Sequence, residues 1–283
     1  MKVNQSLSNH PDQFPACWAS VWGLDSYGYW QSFEVNGARQ VMRWIPPGSF
    51  LMGSPESEPG RRDNEGQHSV SLNDGFWLGD TACTQGLWQA VMGENPSYFD
   101  QGDDYPVEQV SWKDCQRFIE ELQSHVPSLP LGLPSEAQWE YACRARSNTA
   151  FSWGNELSVE QARYDYGWPY NGGKKRESAR GPVEVLHYAP NPWGLYQMHG
   201  NVWEWCWDIY VGDLTNLSEI GSDNQKASEP LEDQRRVLRG GSWFSDGGNL
   251  RSAYRYAVTP GSRDDYIGFR LAGGSALPAS RSR

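Results

Sequence analysis

From Arg239 to Leu271 the sequence interleaves two kinds of residue, and only one of them has the chemistry of a contact surface. Phe244-Ser-Asp-Gly-Gly-Asn249, Tyr256-Ala-Val-Thr259 and Ser262-Arg-Asp-Asp-Tyr266 mix rings, small residues and hydrogen-bonding groups. Rings supply contact area at little entropic cost, while Ser, Asn and Gly supply adaptable hydrogen bonds, so this is the composition of a recognition surface. Phe244, Ser245, Asp246, Asn249, Tyr256, Val258, Asp264, Asp265 and Tyr266 are the candidate ligand-binding residues. Between them run Arg239-Gly-Gly-Ser-Trp243, Leu250-Arg-Ser-Ala-Tyr-Arg255 and Ile267-Gly-Phe-Arg-Leu271, whose alternation and glycines read as strands joined by tight turns. Arg251, Tyr254, Arg255, Phe269 and Arg270 belong to that scaffold, where a buried arginine needs carboxylate or carbonyl partners.

Covalent and metal chemistry have less to stand on. The five histidines, His10, His68, His125, His187 and His199, form no His-x-Asp, His-x-x-x-His or Glu-x-x-His grouping that would set ligands on one element, which leaves open only a triad distributed over the fold. His199 reads as a structural hydrogen-bonding residue. Cys17, Cys83, Cys115, Cys143 and Cys206 are odd in number and lack paired spacing, which reads as buried free thiols. No Gly-x-Ser-x-Gly elbow occurs, and the neighbouring acids Glu120-Glu121 and Asp264-Asp265 point apart on a helix or strand.

Three helices are legible among the elements that must position these groups. Thr84 caps one over Gln85 to Met92, stopped by Gly93, and Ser111 caps a second with Cys115, Phe118, Ile119 and Leu122 on one face. Ser135 and Gln138 form the capping box of a third, which carries Trp139, Ala142 and Cys143. Val41 to Ile45 reads as a strand with Phe50 to Gly53 as its hairpin partner, His68 to Leu72 as a half-buried strand, and Phe76 to Leu78 as the start of another. A brief helical turn is expected near Ser158 to Arg163, and Asp213 to Gln234, acidic and poor in aromatics, reads as a mobile excursion.

The 283 residues suffice for one core, so residues 41–273 read as one domain, with the candidate ligand-binding segment at 243–267. Residues 1–40 read as an N-terminal extension packed on it, and 274–283 as a flexible tail. Fifteen Trp and thirty Gly describe a loop-rich fold with a core of aromatic plates. The net charge of −11 disfavours nucleic acid and anionic membranes as partners. Without an apolar run of membrane-spanning length or a signal peptide, the chain as written reads as cytoplasmic, with no membrane insertion.

Five blocks carry a family resemblance: Trp44-Ile-Pro-Pro-Gly-Ser-Phe-Leu-Met-Gly-Ser54, Leu133-Pro-Ser-Glu-Ala-Gln-Trp-Glu-Tyr-Ala-Cys-Arg144, Asn191-Pro-Trp-Gly-Leu-Tyr-Gln-Met-His-Gly-Asn-Val-Trp-Glu-Trp205, Arg239-Gly-Gly-Ser-Trp243 and Gly268-Phe-Arg-Leu271. From about Met42 to Ala272 the chain resembles the sulfatase-modifying-factor family, typified by formylglycine-generating enzymes. The resemblance implies an α+β, C-type-lectin-like fold, loop-rich, with few short helices and short antiparallel strands.

That family's enzymes bind copper through two cysteines shortly after the Gly-Gly-Ser-aromatic motif. Those positions fall near Ser245 and Asn249–Leu250 here, and no cysteine follows Gly240, so no copper is expected because Cu(I) prefers soft sulfur donors. Gln197, Gly200, Val202 and Glu204 align with a family calcium site, with Gln197 departing from the usual Asn or Asp; the alternative is that Glu204 only accepts hydrogen bonds in the turn. The C-terminal segment resembles the variable proteins of diversity-generating retroelements, because its filler residues are all reachable from an Asn codon by changing adenines. The resemblance thus implies a non-catalytic protein displaying a variable surface to a protein or glycan ligand. The alternative is a metal-dependent oxidoreductase of the same family, in the manner of relatives in ergothioneine or siderophore pathways.

Overall fold

The computed structural model describes residues 9–212 and 234–274. Its helices begin where side chains can satisfy the first free N–H groups. In α1, Gln85–Met92, the Thr84 hydroxyl accepts from the Leu87 N–H, and Gly93 at φ 80° ends the helix. Reciprocal capping boxes start α2, Trp112–His125, through Ser111 and Asp114, and α3, Glu136–Arg144, through Ser135 and Gln138. Cys115, Phe118, Ile119 and Leu122 are all buried on α2, as their spacing predicts.

Twelve short strands are described: β1 Val21–Asp25, β2 Gly28–Val35, β3 Ala38–Ile45, β4 Gly48–Met52, β5 His68–Leu72, β6 Phe76–Gly79, β7 Leu131–Gly132, β8 Trp203–Ile209, β9 Arg236–Arg239, β10 Tyr256–Val258, β11 Ile267–Gly268 and β12 Ala272–Gly273. A six-stranded sheet runs β1-β2-β3-β6-β12-β7, a four-stranded sheet β10-β9-β8-β11, and β4 pairs with β5 alone. Because β12 lies between β6 and β7, the end of the domain closes the sheet that its beginning opens.

Three expectations need correction. β4 pairs with β5, while β3 pairs with β2 and β6. Pro46 and Pro47 hold the chain extended after β3, so it leaves the sheet instead of folding back on its own strand. Near Ser158 the chain makes one hydrogen-bonded turn, Gln161 N–H to Ser158 carbonyl, and the short helical turn lies at Tyr170–Gly172. Residues from Val21 onward are strands of the main sheet instead of an extension laid on it, whereas Phe14 and Trp18 do pack against the core. The tail from residue 275 and the acidic excursion at 213–233 lie outside the described residues.

The core is built of rings, as the composition suggests. Phe269 meets Trp88 and Phe118 edge-on at 6.1 and 5.5 Å, while Trp88 and Phe118 stack at 4.8 Å. One C-terminal phenyl ring thereby locks the facing sides of α1 and α2 together. Truncating such a ring typically costs about 3–5 kcal/mol.

Candidate functional site

The C-terminal segment is held from below by arginines. Arg239, Arg251, Arg255 and Arg270 are 0–3% exposed. Arg251 meets Glu58 and both oxygens of Glu65 at 2.7–2.8 Å and also bonds the Gly60 and Gly248 carbonyls. Arg255 makes a two-point pair with Glu136, Arg239 meets Glu140 and three carbonyls of residues 252–254, and Arg270 grips Glu204. Burial pushes the Glu136 carboxyl up, but Arg255 and Arg239 outweigh it and hold the group below its usual range. Every acid in these pairs comes from far away in sequence. The frame therefore fixes the segment in one place.

Between those anchors, side chains turn outward. Phe244 is 63% exposed and Tyr256 42%, against full burial of Arg251 and Phe269. Phe244 stacks on Tyr266 at 6.0 Å, and Tyr256 lies on Trp203 at 5.4 Å. The Tyr266 carbonyl accepts from the Trp203 N–H, and the Trp243 indole donates to the Asp265 carbonyl, so Phe244, Tyr256, Asp264, Asp265 and Tyr266 form one continuous face. Tyr266 is hydrogen-bonded to Asp264; burial first and that bond second push its hydroxyl well above the usual tyrosine range.

The other candidates sit differently. Ser245 is a correction: it is buried, its hydroxyl bonds the Ser242 N–H at 3.1 Å and the Ser242 hydroxyl at 3.0 Å, and it therefore serves the turn instead of a ligand. Asp246 is exposed at the start of the Gly247–Leu250 turn, beside the Asp165–Trp168 loop, and Asn249 is half-buried on that turn. Val258 is half-buried and leans on the core.

Sequence reasoning missed Glu108, which lies fully buried beneath the face. Its Oε1 accepts from the Phe99 N–H at 2.7 Å, its Oε2 has no hydrogen-bond partner among the described residues, and the Gln109 N–H next to it holds the Asp264 carbonyl. Burial, with the charges of Asp265 and Asp264 adding to it, raises the Glu108 carboxyl to about 7 against the Phe99 and Tyr98 N–H groups. A lone Glu between Val107 and Val110 was the available signal.

His199 is structural. Its Nδ1 faces the Leu250 carbonyl at 2.7 Å and its Nε2 accepts from the Ser152 N–H at 3.1 Å, which requires a neutral ring with the proton on Nδ1. Burial lowers its pKa to about 4. The Cys143 thiol beside it is pushed up to about 12 by burial, and Cys83, Cys115 and Cys206 are buried too. Among the described residues, no three His, Cys, Asp or Glu side chains are grouped to hold a metal ion.

The sulfatase-modifying factor enzyme 1-like domain matches residues 30–274. The chain belongs to that family. It is 32% identical to the formylglycine-generating enzyme of Thermomonospora curvata over 70% of its length and 63% of the enzyme's. It is 28% identical to the serine/threonine-protein kinase pkn1 of Chlamydia caviae over 82% of its length but only 38% of the kinase's, so it spans well under two thirds of that relative. Treponema denticola variable protein 1 superposes with a TM-score of 0.68 at 25% identity, covering 86% of this chain and 98% of that one. The fold is the α+β, C-type-lectin-like one, loop-rich with few helices.

Two sets of positions align, through the resemblance, with metal sites of the family. At the positions that align with the family's copper cysteines stand the turn-bound hydroxyl of Ser245 and, for the second, Asn249 or Leu250, so neither supplies a thiolate. At the calcium turn, Glu204 Oε2 accepts from Trp139 Nε1 and Arg270 Nε at 2.6 and 2.7 Å, and Oε1 accepts from Arg270 Nη2 at 2.8 Å. The Gln197 amide donates to the Glu184 carbonyl at 2.7 Å and accepts from Asn201, while Gly200 at φ 92° and Val202 complete the turn. A dication here would share its one carboxylate with a guanidinium and would have to take Gln197 from Asn201. That donor set fits calcium poorly, because calcium affinity follows ligand charge and number.

Proposed function

We propose that this protein is a non-catalytic binding protein that presents a variable face on a C-type-lectin-like scaffold to a protein or glycan ligand, as the targets of diversity-generating retroelements do. One observation carries the reading: within one segment, Phe244, Asp246 and Tyr256 are exposed, whereas Arg239, Arg251, Arg255, Arg270 and Phe269 are buried in ion pairs and ring contacts. Side chains arranged in this way can change without disturbing what holds the backbone. The likeness to Treponema denticola variable protein 1 supports the same reading.

The test is a phage-displayed library with Phe244, Asp246, Asn249, Tyr256, Asp264, Asp265 and Tyr266 randomised, panned against hen lysozyme. Most clones should resist protease as the parent does, and lysozyme binders should enrich over a control library randomised at the exposed Trp22, Leu24 and Tyr27. Widespread unfolding, or equal enrichment from both libraries, would defeat the proposal. Kinship with formylglycine-generating enzymes favours a second reading, a metal-dependent oxidoreductase. Stoichiometric copper or iron in the purified protein, together with aldehyde formation on a sulfatase-type cysteine peptide, would establish it.

A further inference from the structure

The chemistry of the face narrows its ligand. Asp264 and Asp265 are half-buried neighbours, and among the described residues neither has an ion-pair partner: Arg263, the adjacent cation, is turned to Asp114 at 2.6 Å. Asp265 is raised above the usual carboxylate range by burial and by Asp264, with Arg180 only partly opposing. Beneath the pair, the fully buried Glu108 leaves its Oε2 unpartnered. Three carboxyl groups therefore gather where, among the described residues, none of them makes an ion pair, and Arg180, its guanidinium over the Tyr98 and Phe99 rings, acts on Asp265 from a distance. Tyr266 is hydrogen-bonded to Asp264, Phe244 stacks on Tyr266, and Tyr256 is close enough to Tyr266 to interact with it, so the three rings adjoin the pair, and ring faces favour a cation and disfavour an anion.

We propose that this face binds a cationic side chain, the ammonium of a lysine or the guanidinium of an arginine carried by a protein ligand, between the Asp264 and Asp265 carboxylates and the rings of Phe244, Tyr256 and Tyr266. Glu108 acts from below: an arriving cation draws it to the ionised form, against the repulsion of Asp264 and Asp265 and with the support of the N–H groups of Tyr98 and Phe99, over whose rings the Arg180 guanidinium already lies. Because burial raises that carboxyl to about 7, a cation that favours its ionised form displaces a proton, and binding should tighten as pH rises through neutrality. The inference rests on the display reading and specifies what this particular face displays. The acidic net charge of −11 supports a basic partner through long-range attraction.

The test titrates the whole chain, by tryptophan fluorescence, with capped Gly/Ser pentapeptides carrying lysine, arginine or norleucine at the centre, and with n-butylammonium chloride. The lysine or arginine peptide should bind about ten-fold more tightly than the norleucine peptide, the size of a partly desolvated cation–ring contact with a charge beside it. Asp264→Asn with Asp265→Asn should erase that preference, and Phe244→Ala, at an exposed position that leaves the fold alone, should weaken it several-fold. Affinity should rise from pH 6 to pH 8 in the parent and stay flat in Glu108→Gln. Equal binding of the norleucine peptide, or a preference that survives both the Asn pair and Phe244→Ala, overturns the proposal. Binding of n-butylammonium as tight as that of the lysine peptide overturns the protein-borne part and assigns the site to small amines. If the peptides show no preference while the randomised library still enriches lysozyme binders, only the cation specificity falls. A cation preference in a scaffold that unfolds when randomised removes the display reading instead.

Discussion

The arginine frame and the aromatic face come from the same segment, yet they hold their side chains by opposite means. Tyr254 is buried under the Arg62 and Arg251 guanidiniums, whereas Tyr256, two residues later, lies 42% exposed on Trp203. Arg251 bonds Glu58, Glu65 and two carbonyls, while the Phe244 ring, 63% exposed, lies against buried Trp243 and on half-buried Tyr266. Buried ion pairs position a backbone without adding much net stability, because desolvation offsets most of the attraction. What they supply here is a fixed register, and that register is what lets neighbouring positions vary.

The comparison breaks most severely at the frame. Arg251→Ala leaves Glu58 and Glu65 buried without their cation, and removing one partner of such a pair typically costs about 3–5 kcal/mol. Urea denaturation should show that loss, or no folded protein at all. Phe269→Ala should cost a similar amount through the cavity between Trp88 and Phe118. A change below about 1 kcal/mol in both variants, the scale of an ordinary surface substitution, would mean the frame is not what holds the segment.

The face should respond far less. Phe244, Asp246 and Tyr256 replaced together by Ala or Ser should each shift stability by within about 0.5 kcal/mol, as surface positions do. Tyr266 sharpens the boundary, since it is half-buried, leans on the core and bonds Asp264, so Tyr266→Ala should cost more than the other three. If Tyr266→Ala proves as neutral as Phe244→Ala, the face extends deeper than its exposure indicates.

Between these extremes lies a pH effect. Glu108, like Asp80 and Asp208, is a buried carboxyl raised to about 7, against about 4.3 for a Glu in the unfolded chain. The native state then holds a proton that the unfolded state has released, so this contribution is complete below the unfolded value and is lost as pH rises towards 7. Glu108→Gln cannot ionise. Its stability relative to the parent should therefore grow between pH 5 and pH 8 in thermal melts, and parallel profiles would show that Glu108 is not held up by its surroundings.

The parts of this architecture that were legible in the sequence are the local ones. Thr84, Ser111 and Ser135 announce helix starts because a cap and its partner lie within four residues. The resemblance brought the fold class, and the buried roles of Arg251, Arg255 and Arg270 followed from the frame they occupy. Non-local pairing was not legible: nothing within Phe50 to Gly53 says that His68 to Leu72, and not the strand before it, is its partner. β2 was missed because its inner residues Gln31, Ser32 and Phe33 are buried in succession, which erases the alternation a strand normally shows. Ser245 looked like a display residue because a serine that closes a turn and a serine that meets a ligand are the same letter.

The smallest expected effect concerns calcium, and it tests whether the Gln197 to Glu204 turn belongs to the frame or is a metal site. A bound ion raises the melting temperature only if it binds the native state at the concentration used, and the rise follows the ratio of free ion to dissociation constant. Here the carboxylate of Glu204 is already claimed by Arg270 and Trp139, and the Gln197 oxygen by Asn201. Millimolar calcium and chelator should give melting curves within about 1 °C of each other, since a site at or below half saturation adds at most about 0.4 kcal/mol. Glu204→Gln should destabilise equally in both buffers, because what it removes is the charge facing Arg270. A calcium-dependent rise of several degrees that disappears in Gln197→Ala would return the turn to metal binding and show that Asn201 yields its partner to the ion.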